Sequence, residues 1–330
     1  MDKKDQGGTT SRKRIDISHT VMETSGQRLD VYISERFSVT RTKVKSAIEE
    51  GHILVDNKTP RPSQKVKKGM VLQGFIPEEE PLNLEPQDIP LQILYEDEYI
   101  LAINKPAGMV VHPSFGHPEG TLVNAVLGYL KDPSFKHGVY LSGSENPFNE
   151  AACQISLRPG IVHRLDKGTT GVILVAKDSR TQEMLSAMFK QRGIIKVYRA
   201  IVEGNIIDNS LIIEGNIGRH PVERKKMAVT RQGGRDALTT VKIVDRLKGY
   251  TYVEAYPKTG RTHQIRVHLA HIGNPIVGDE IYGKRARHLT ERPMLHAFRI
   301  ELSHPVKGIP VFIEAPIPED MASFLEAYKG

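Results

Sequence analysis

Arg158-Pro-Gly-Ile-Val-His163-Arg164-Leu165-Asp166-Lys167-Gly168-Thr169-Thr170-Gly171, followed by the apolar run Val172–Ala176, is the stretch on which the fold of this chain turns. Pro159 and Gly160 punctuate its approach, and Ile161-Val162 leads into the polar quartet His163 to Asp166. Two threonines next to glycines then return the chain to an apolar segment that reads as a buried strand. Asp166 is therefore expected where a strand gives way to a tight loop beside the core. A carboxylate so placed is costly unless it is paired or used.

The chain is long enough for a sizeable core and about two domains. With 39% hydrophobic and 26% charged residues it has the composition of an ordinary globular protein. It has no apolar run of the ~20 residues needed to cross a bilayer. The N-terminal residues lack the apolar core of a secretory signal, so the cytoplasm is the expected compartment. Cys153 is the only cysteine, which excludes an intrachain disulfide and any Cys-rich zinc site.

The net charge of +7 is unevenly distributed. Residues 1–77 carry +6, residues 78–90 carry −5, and residues 91–330 carry +6. Two basic modules flanking an acidic, Pro-rich segment suit a polyanionic partner. Residues 1–17 read as a polar, basic, disordered tail, residues 18–77 as a small domain, 78–90 as an extended linker, and 91–330 as the main domain.

In the first module Leu29, Ile33 and Phe37 share one helical face. A second helix follows, with Thr40 as candidate N-cap, Gly51 just past its end, and Val44, Ala47 and Ile48 inward. Arg41, Lys43 and Lys45 lie near its start, where side-chain cations and free amides act together on phosphate. Ile53 to Lys58 and Gln64 to Leu72 read as hairpin arms. This helix–helix–hairpin, with Arg28-Leu29-Asp30 and Glu50-Gly51-His52-Ile53-Leu54-Val55-Asp56-Asn57, resembles the S4 RNA-binding domain.

In the main domain, strands are expected at Ile93–Tyr95 and Tyr99–Asn104, and a helix at Thr121–Leu130. A turn-rich insertion over 131–157 is expected at the surface. Ser179-Arg-Thr-Gln182 reads as a capping box opening a helix with Met184, Leu185, Met188 and Phe189 on one face. Lys196 to Gly204 alternates as a strand with Tyr198, Ala200 and Val202 on one side. Further strands at 211–215, 237–244, 251–255 and 311–314 argue a largely antiparallel, mixed sheet in an α+β domain. A last helix is expected near 319–328. His263, His268 and His271 lack the His-Glu-x-x-His arrangement of a metal helix and read as structural. No metal is expected.

The opening stretch resembles the His-Arg-Leu-Asp-x-x-Thr-Ser/Thr-Gly signature of the RluA-type RNA pseudouridine synthases. Three other segments match that family in order: Asn104-Lys105-Pro106-Ala107-Gly108, Tyr198-Arg-Ala200-Ile-Val202-Glu-Gly204, and Gly260-Arg261-Thr262-His263-Gln264-Ile265-Arg266 with Pro275-Ile-Val-Gly278-Asp279. Gly168 and Asn274 depart from residues common in relatives, an acid and a histidine respectively.

The resemblance implies isomerisation of uridine in RNA: the C1′–N1 bond breaks, the uracil turns over, and C5 bonds to C1′. No oxidation or group donor takes part, so no cofactor is expected. The target nucleotide must leave its stack, at a cost of a few kcal/mol. By the same resemblance Asp166 is the essential carboxylate, leaving open attack on sugar or base and removal of a sugar proton. Tyr198 stacks on the base, which is worth about 1–3 kcal/mol. Arg261 pairs with Asp166 and holds it ionised, and Arg164 fills the vacated space or grips phosphate. The Asn104–Pro113 loop is expected mainly to pack against the active loop, with an RNA contact by Lys105 as the lesser reading. The expected partner is large-subunit ribosomal RNA or a pre-ribosomal particle, met by a monomer away from any membrane. The competing expectation is an idle S4-containing RNA-binding or ribosome-assembly protein, which has no chemical need of Asp166, Tyr198 and Arg261 together.

Overall fold

A computed structural model describes residues 14–77, 84–113, 117, 119–131, 160–223, 226–230 and 233–329. The expected insertion lies almost wholly outside them, as do Arg224, Lys225 and the first thirteen residues. The chain divides into two units, meeting at Asn83 and Leu84.

The first unit holds β1 (Arg14–Thr20), α1 (Leu29–Arg36), α2 (Arg41–Glu49), β2 (Ile53–Val55) and β3 (Val71–Pro77). Its sheet runs β1-β3-β2, antiparallel throughout. Residues 14–17, expected in a disordered tail, instead pair with Gly74 to Pro77. The cause is visible in the sequence: Ile15 and Ile17 alternate with polar residues, and Ile17 is buried. Leu29, Ile33, Val44, Ala47 and Ile48 pack with Leu72 and Ile76 as the core. Gly51 follows α2 at φ +79, in the left-handed conformation expected past a helix end.

α1 also buries a charge. The Asp30 side chain is 1% exposed and is held by Arg28 and Arg41 at 2.9 and 3.0 Å. The two guanidiniums take its carboxyl down to about 2, chiefly through the Arg28 hydrogen bond, against the cost of burial. Arg41, expected on phosphate, thus shares in a buried ion-pair cluster, with its side chain still 55% exposed. Lys45 pairs loosely with Glu49, at 3.5 Å.

The second unit begins within the expected linker. Asn124 ties residues 84–90 to it: its side-chain amide donates to the Glu85 carbonyl, and the Gln87 amide donates to the Asn124 carbonyl. The unit is built on β4 (Ile93–Glu96), β5 (Ile100–Lys105), β6 (Thr170–Ala176), β7 (Ile195–Glu203), β8 (Ser210–Arg219), β9 (Met227–Thr230), β10 (Arg235–Leu247), β11 (Tyr250–Pro257), β12 (Leu295–Ser303) and β13 (Pro310–Glu314). Their order is β4-β5-β6-β12-β7-β11-β10-β8-β9, with β13 on β12. Every pairing is antiparallel except β6 with β12.

The helices are α3 (Leu122–Lys131), α4 (Ser179–Lys190), α5 (Gln264–His271) and α6 (Glu319–Ala327). Their placement explains why β6 reads as one apolar run. Ile173 and Val175 pack with α3, while Val172, Leu174 and Ala176 pack with Leu185 of α4. A strand covered on both faces has no polar side to alternate. The capping of α4 differs from expectation: Asp178, not Ser179, is the N-cap, accepting the Thr181 amide at 2.8 Å. A third core, formed around β7, β11 and α5, closes the other half of the sheet.

Candidate active site

Asp166 lies in the turn that feeds β6. Gly160 and Ile161 pair back against the end of β6, with Ala176 donating to the Gly160 carbonyl. The chain then loops through Val162–Thr169 and re-enters the sheet at Thr170. The Thr169 amide donates to the Asp166 carbonyl at 3.0 Å, closing the turn.

Three supports fix this loop. His163 Nε2 accepts the Leu174 amide at 2.8 Å, and its ring stacks on Phe189 at 4.7 Å. Burial drives its pKa to about 3, so it is a neutral structural acceptor. The Lys105 ammonium, wholly buried, donates to the carbonyls of Pro106, Met109 and Lys167. That places Lys105 in packing of the active loop, out of reach of RNA; desolvation lowers it to about 7, opposed by the Asp166 charge. Finally, Gly171 has φ +107, and a Cβ there would lie 2.2 Å from the Ala297 carbonyl oxygen. Only glycine lets β6 and β12 meet at that point.

The guanidinium that holds Asp166 belongs to Arg266. Its Nη1 donates to Asp166 Oδ2 at 2.9 Å. Its other edge forks onto Asp279, Nε to Oδ2 at 2.7 Å and Nη2 to Oδ1 at 2.9 Å. Asp279 is fully buried and also accepts the Ile281 and Tyr282 amides. Asp279 thus aims Arg266, and Arg266 aims Asp166.

The expectation for Arg261 is corrected by this geometry. Arg261 Nε donates to the Asp236 carbonyl at 2.9 Å, and its side chain lines the cleft mouth without bonding Asp166. The reason lies at the start of α5. His263 takes a left-handed turn at φ +56 and caps the helix, which turns residue 266 rather than 261 toward the loop. His263 itself approaches Asp166 at 3.8 Å and shares a hydrogen bond with the Tyr282 hydroxyl. His268 is fully buried against Thr239 Oγ1.

A cleft of about 570 Å³ opens over these groups. Tyr198 stands in its wall beside Asp166, on the β7 face predicted from the alternation, and burial pushes its hydroxyl pKa up. Arg164 lies exposed at the rim. Of the described side chains lining the cleft, Arg164, Lys190, Arg192, Lys196, Lys258, Arg261 and Arg266 are cationic, and Asp166 is the only carboxylate. Asp166 is 25% exposed on its side chain, so a ligand in the cleft can reach it. The structure brings Asp166, Tyr198 and Arg164 to one cleft, and it adds Arg266 and Asp279, which no expectation singled out. Both lay within quoted motifs; a basic residue inside an otherwise buried helix was the available signal.

An α+β domain with an arginine-held carboxylate in a cationic cleft, following a small basic unit, has the charge pattern of a protein that handles a polyanion. Comparison with known proteins specifies it. Residues 99–271 match the RNA pseudouridylate synthase family, and residues 27–72 match the S4 domain. The "Ribosomal large subunit pseudouridine synthase D" of Xanthomonas campestris is 39% identical, over 92% of this chain and 90% of its own. That of Escherichia coli (strain K12) is 38% identical, over 96% of each chain. The "Uncharacterized RNA pseudouridine synthase YlyB" of Bacillus subtilis is 37% identical, over 95% and 97%. Among solved structures, human RNA pseudouridylate synthase domain containing 1 shares the fold with a TM-score of 0.52 at 23% identity, covering 76% of this chain and 97% of that one. The chain belongs to the RNA pseudouridylate synthase family and is an RNA pseudouridine synthase of the RluA type carrying an N-terminal S4 domain. Among the described residues no helix is long and apolar enough to cross a membrane.

Proposed function

We propose that this enzyme isomerises specific uridines of large-subunit ribosomal RNA, free or in pre-ribosomal particles, with Asp166 as the group that acts on the reacting nucleotide. The observation that carries the reading is the Asp279–Arg266–Asp166 chain at the floor of a cleft lined otherwise by cations. An RNA strand is drawn there by its phosphates, and the sole carboxylate is presented to the flipped nucleotide. The relatives' names support ribosomal RNA as the substrate.

In this reading Tyr198 is the platform for the uracil and excludes water beside Asp166. Arg164 occupies the space left by the base or grips the strand. Arg261 steadies the cleft mouth and contacts the backbone. As C5 bonds to C1′, the C5 proton leaves to solvent and N1 gains a proton, so no electrons are gained or lost overall. Arg41, Lys43 and Lys45 of the S4 unit hold flanking RNA, Arg41 with the part of its guanidinium not given to Asp30. The enzyme is taken to act as a monomer, and a ribosomal substrate supports a cytoplasmic site of action.

The test is pseudouridine mapping by carbodiimide treatment and primer extension on an unmodified large-subunit RNA transcript and on ribosomal particles. Stops made by the wild type and absent with Asp166→Asn are expected, and they name the uridines. The absence of stops with the wild type on both substrates would remove the reading.

A further inference from the structure

Lys196 enters the cleft from β7 two residues before Tyr198, on the same side of the strand, so the two side chains stand about 6.6 Å apart along it. Its ammonium is largely withdrawn from water, and the hydrogen bond it makes is a long one, to the Thr259 carbonyl at 3.3 Å. Among the described residues no carboxylate forms an ion pair with it. Desolvation alone lowers it to about 8, with no anion acting in the other direction. Its neighbours add to the imbalance: Arg192 beyond α4, and Lys258 and Arg261 after β11, also face the cleft. A half-desolvated ammonium with no counter-charge is costly. It is favourable only when a ligand brings the anion. Other basic residues on the rim, such as Lys190, Arg192 and Lys258, are exposed and can hold RNA without such a cost.

We propose that Lys196 is the phosphate-binding residue for the flipped nucleotide itself, its ammonium taking a phosphodiester oxygen of the target uridine while Tyr198 takes the base. The inference rests on the reading of Asp166 and Tyr198 given above. The spacing along β7 is suited to a single nucleotide, whose base and own phosphate would fall on successive inward positions of one strand. Lys196 is then a binding and positioning residue, separate from the chemical step.

The test uses the full chain and an RNA fragment centred on a uridine that the wild type modifies. Affinities are measured in the Asp166→Asn background across a salt series, with Lys196→Met and Lys196→Arg. Lys196→Met is expected to weaken binding roughly 10- to 100-fold at low salt, the worth of one charged hydrogen bond. It should also flatten the dependence of log affinity on log salt by about 0.7, the share of one single-strand phosphate. Lys196→Arg should restore the slope. Because the substitution removes an unpaired desolvated charge, the melting temperature should hold or rise. In the Asp166 enzyme, Lys196→Met should raise KM and leave the single-turnover rate at saturating RNA in place. An unchanged salt slope would overturn the proposal, leaving a contact to a neutral group, and so would a collapsed saturating rate at unaltered affinity. If the wild type modified no uridine of large-subunit RNA, the site reading would fall and this inference with it. Wild-type activity with an unchanged slope would overturn this inference alone.

Discussion

Two arginines five positions apart divide the work in the Gly260–Arg266 motif, and the division rests on α5. Arg266 is buried between two carboxylates, while Arg261 reaches a backbone carbonyl at the cleft mouth. Removing one member of a buried charge cluster costs about 3–5 kcal/mol. Arg266→Met is therefore expected to slow single-turnover isomerisation by more than about 100-fold, whereas Arg261→Met should act mainly on RNA affinity. Asp279→Asn would set an amide donor against the guanidinium. We expect it to lower unfolding stability by about 3–5 kcal/mol, read by denaturant titration, and to slow isomerisation by releasing Arg266. Asp166, Tyr198 and Arg164 are legible as neighbours because each stands at a strand junction or on an alternating face, and all three line the cleft. It did not separate Arg261 from Arg266. All of α5 from Gln264 to Leu269 is buried, so no amphipathic pattern marked the side that faces the loop.

At the scale of elements, the active loop is stiff because β6 is locked at both ends. Gly171→Ala would force a left-handed alanine whose Cβ meets the Ala297 carbonyl. Loss of the β6–β12 register is expected, with a cost above ~2 kcal/mol and reduced amide protection from Thr170 to Leu174 by hydrogen exchange. Asp178→Ala should cost about 1 kcal/mol through loss of the α4 N-cap, and Ser179→Ala less; melting of the two variants distinguishes the caps. The strands and helices were legible where their periods were clean, as in β7 and α4. β1 was hidden by its polar, charged context, and the cap of α4 by two adjacent capping residues. Residues 84–90 looked like a spacer because they hold two prolines and no periodicity, yet Asn124 binds their backbone, a contact no local pattern contains.

At the level of the molecule, the buried His268, His296 and Asp30 each make stability depend on acid pH. His268 and His296 are wholly buried and are each lowered to about 4, chiefly by desolvation. A histidine with a depressed folded pKa carries no penalty above its unfolded value of about 6.5. Below it the unfolded chain binds the proton first, so stability falls as the pH drops toward 4. Denaturant unfolding should show a loss of ~1–2 kcal/mol for each of the two between pH 7.5 and 5. Asp30 acts lower. Its folded pKa of about 2 gives stability present above about 3.9 and lost as pH falls through 2. Hydrogen exchange in α1 and α2 should report that loss within the first unit. Asp30→Asn should reduce protection there at neutral pH, by ~1–2 kcal/mol once the exposed guanidinium ends are discounted for solvent screening.

Asp166, held by Arg266, is proposed to act on the reacting uridine. Because C5 loses its hydrogen when it bonds to C1′, tritium release from large-subunit RNA transcribed with 5-tritiated uridine reports the reaction directly. Release is expected with the wild type, none with Asp166→Asn, and a rate reduced by more than about 100-fold with Arg266→Met. Release by Asp166→Asn at the wild-type rate would contradict it.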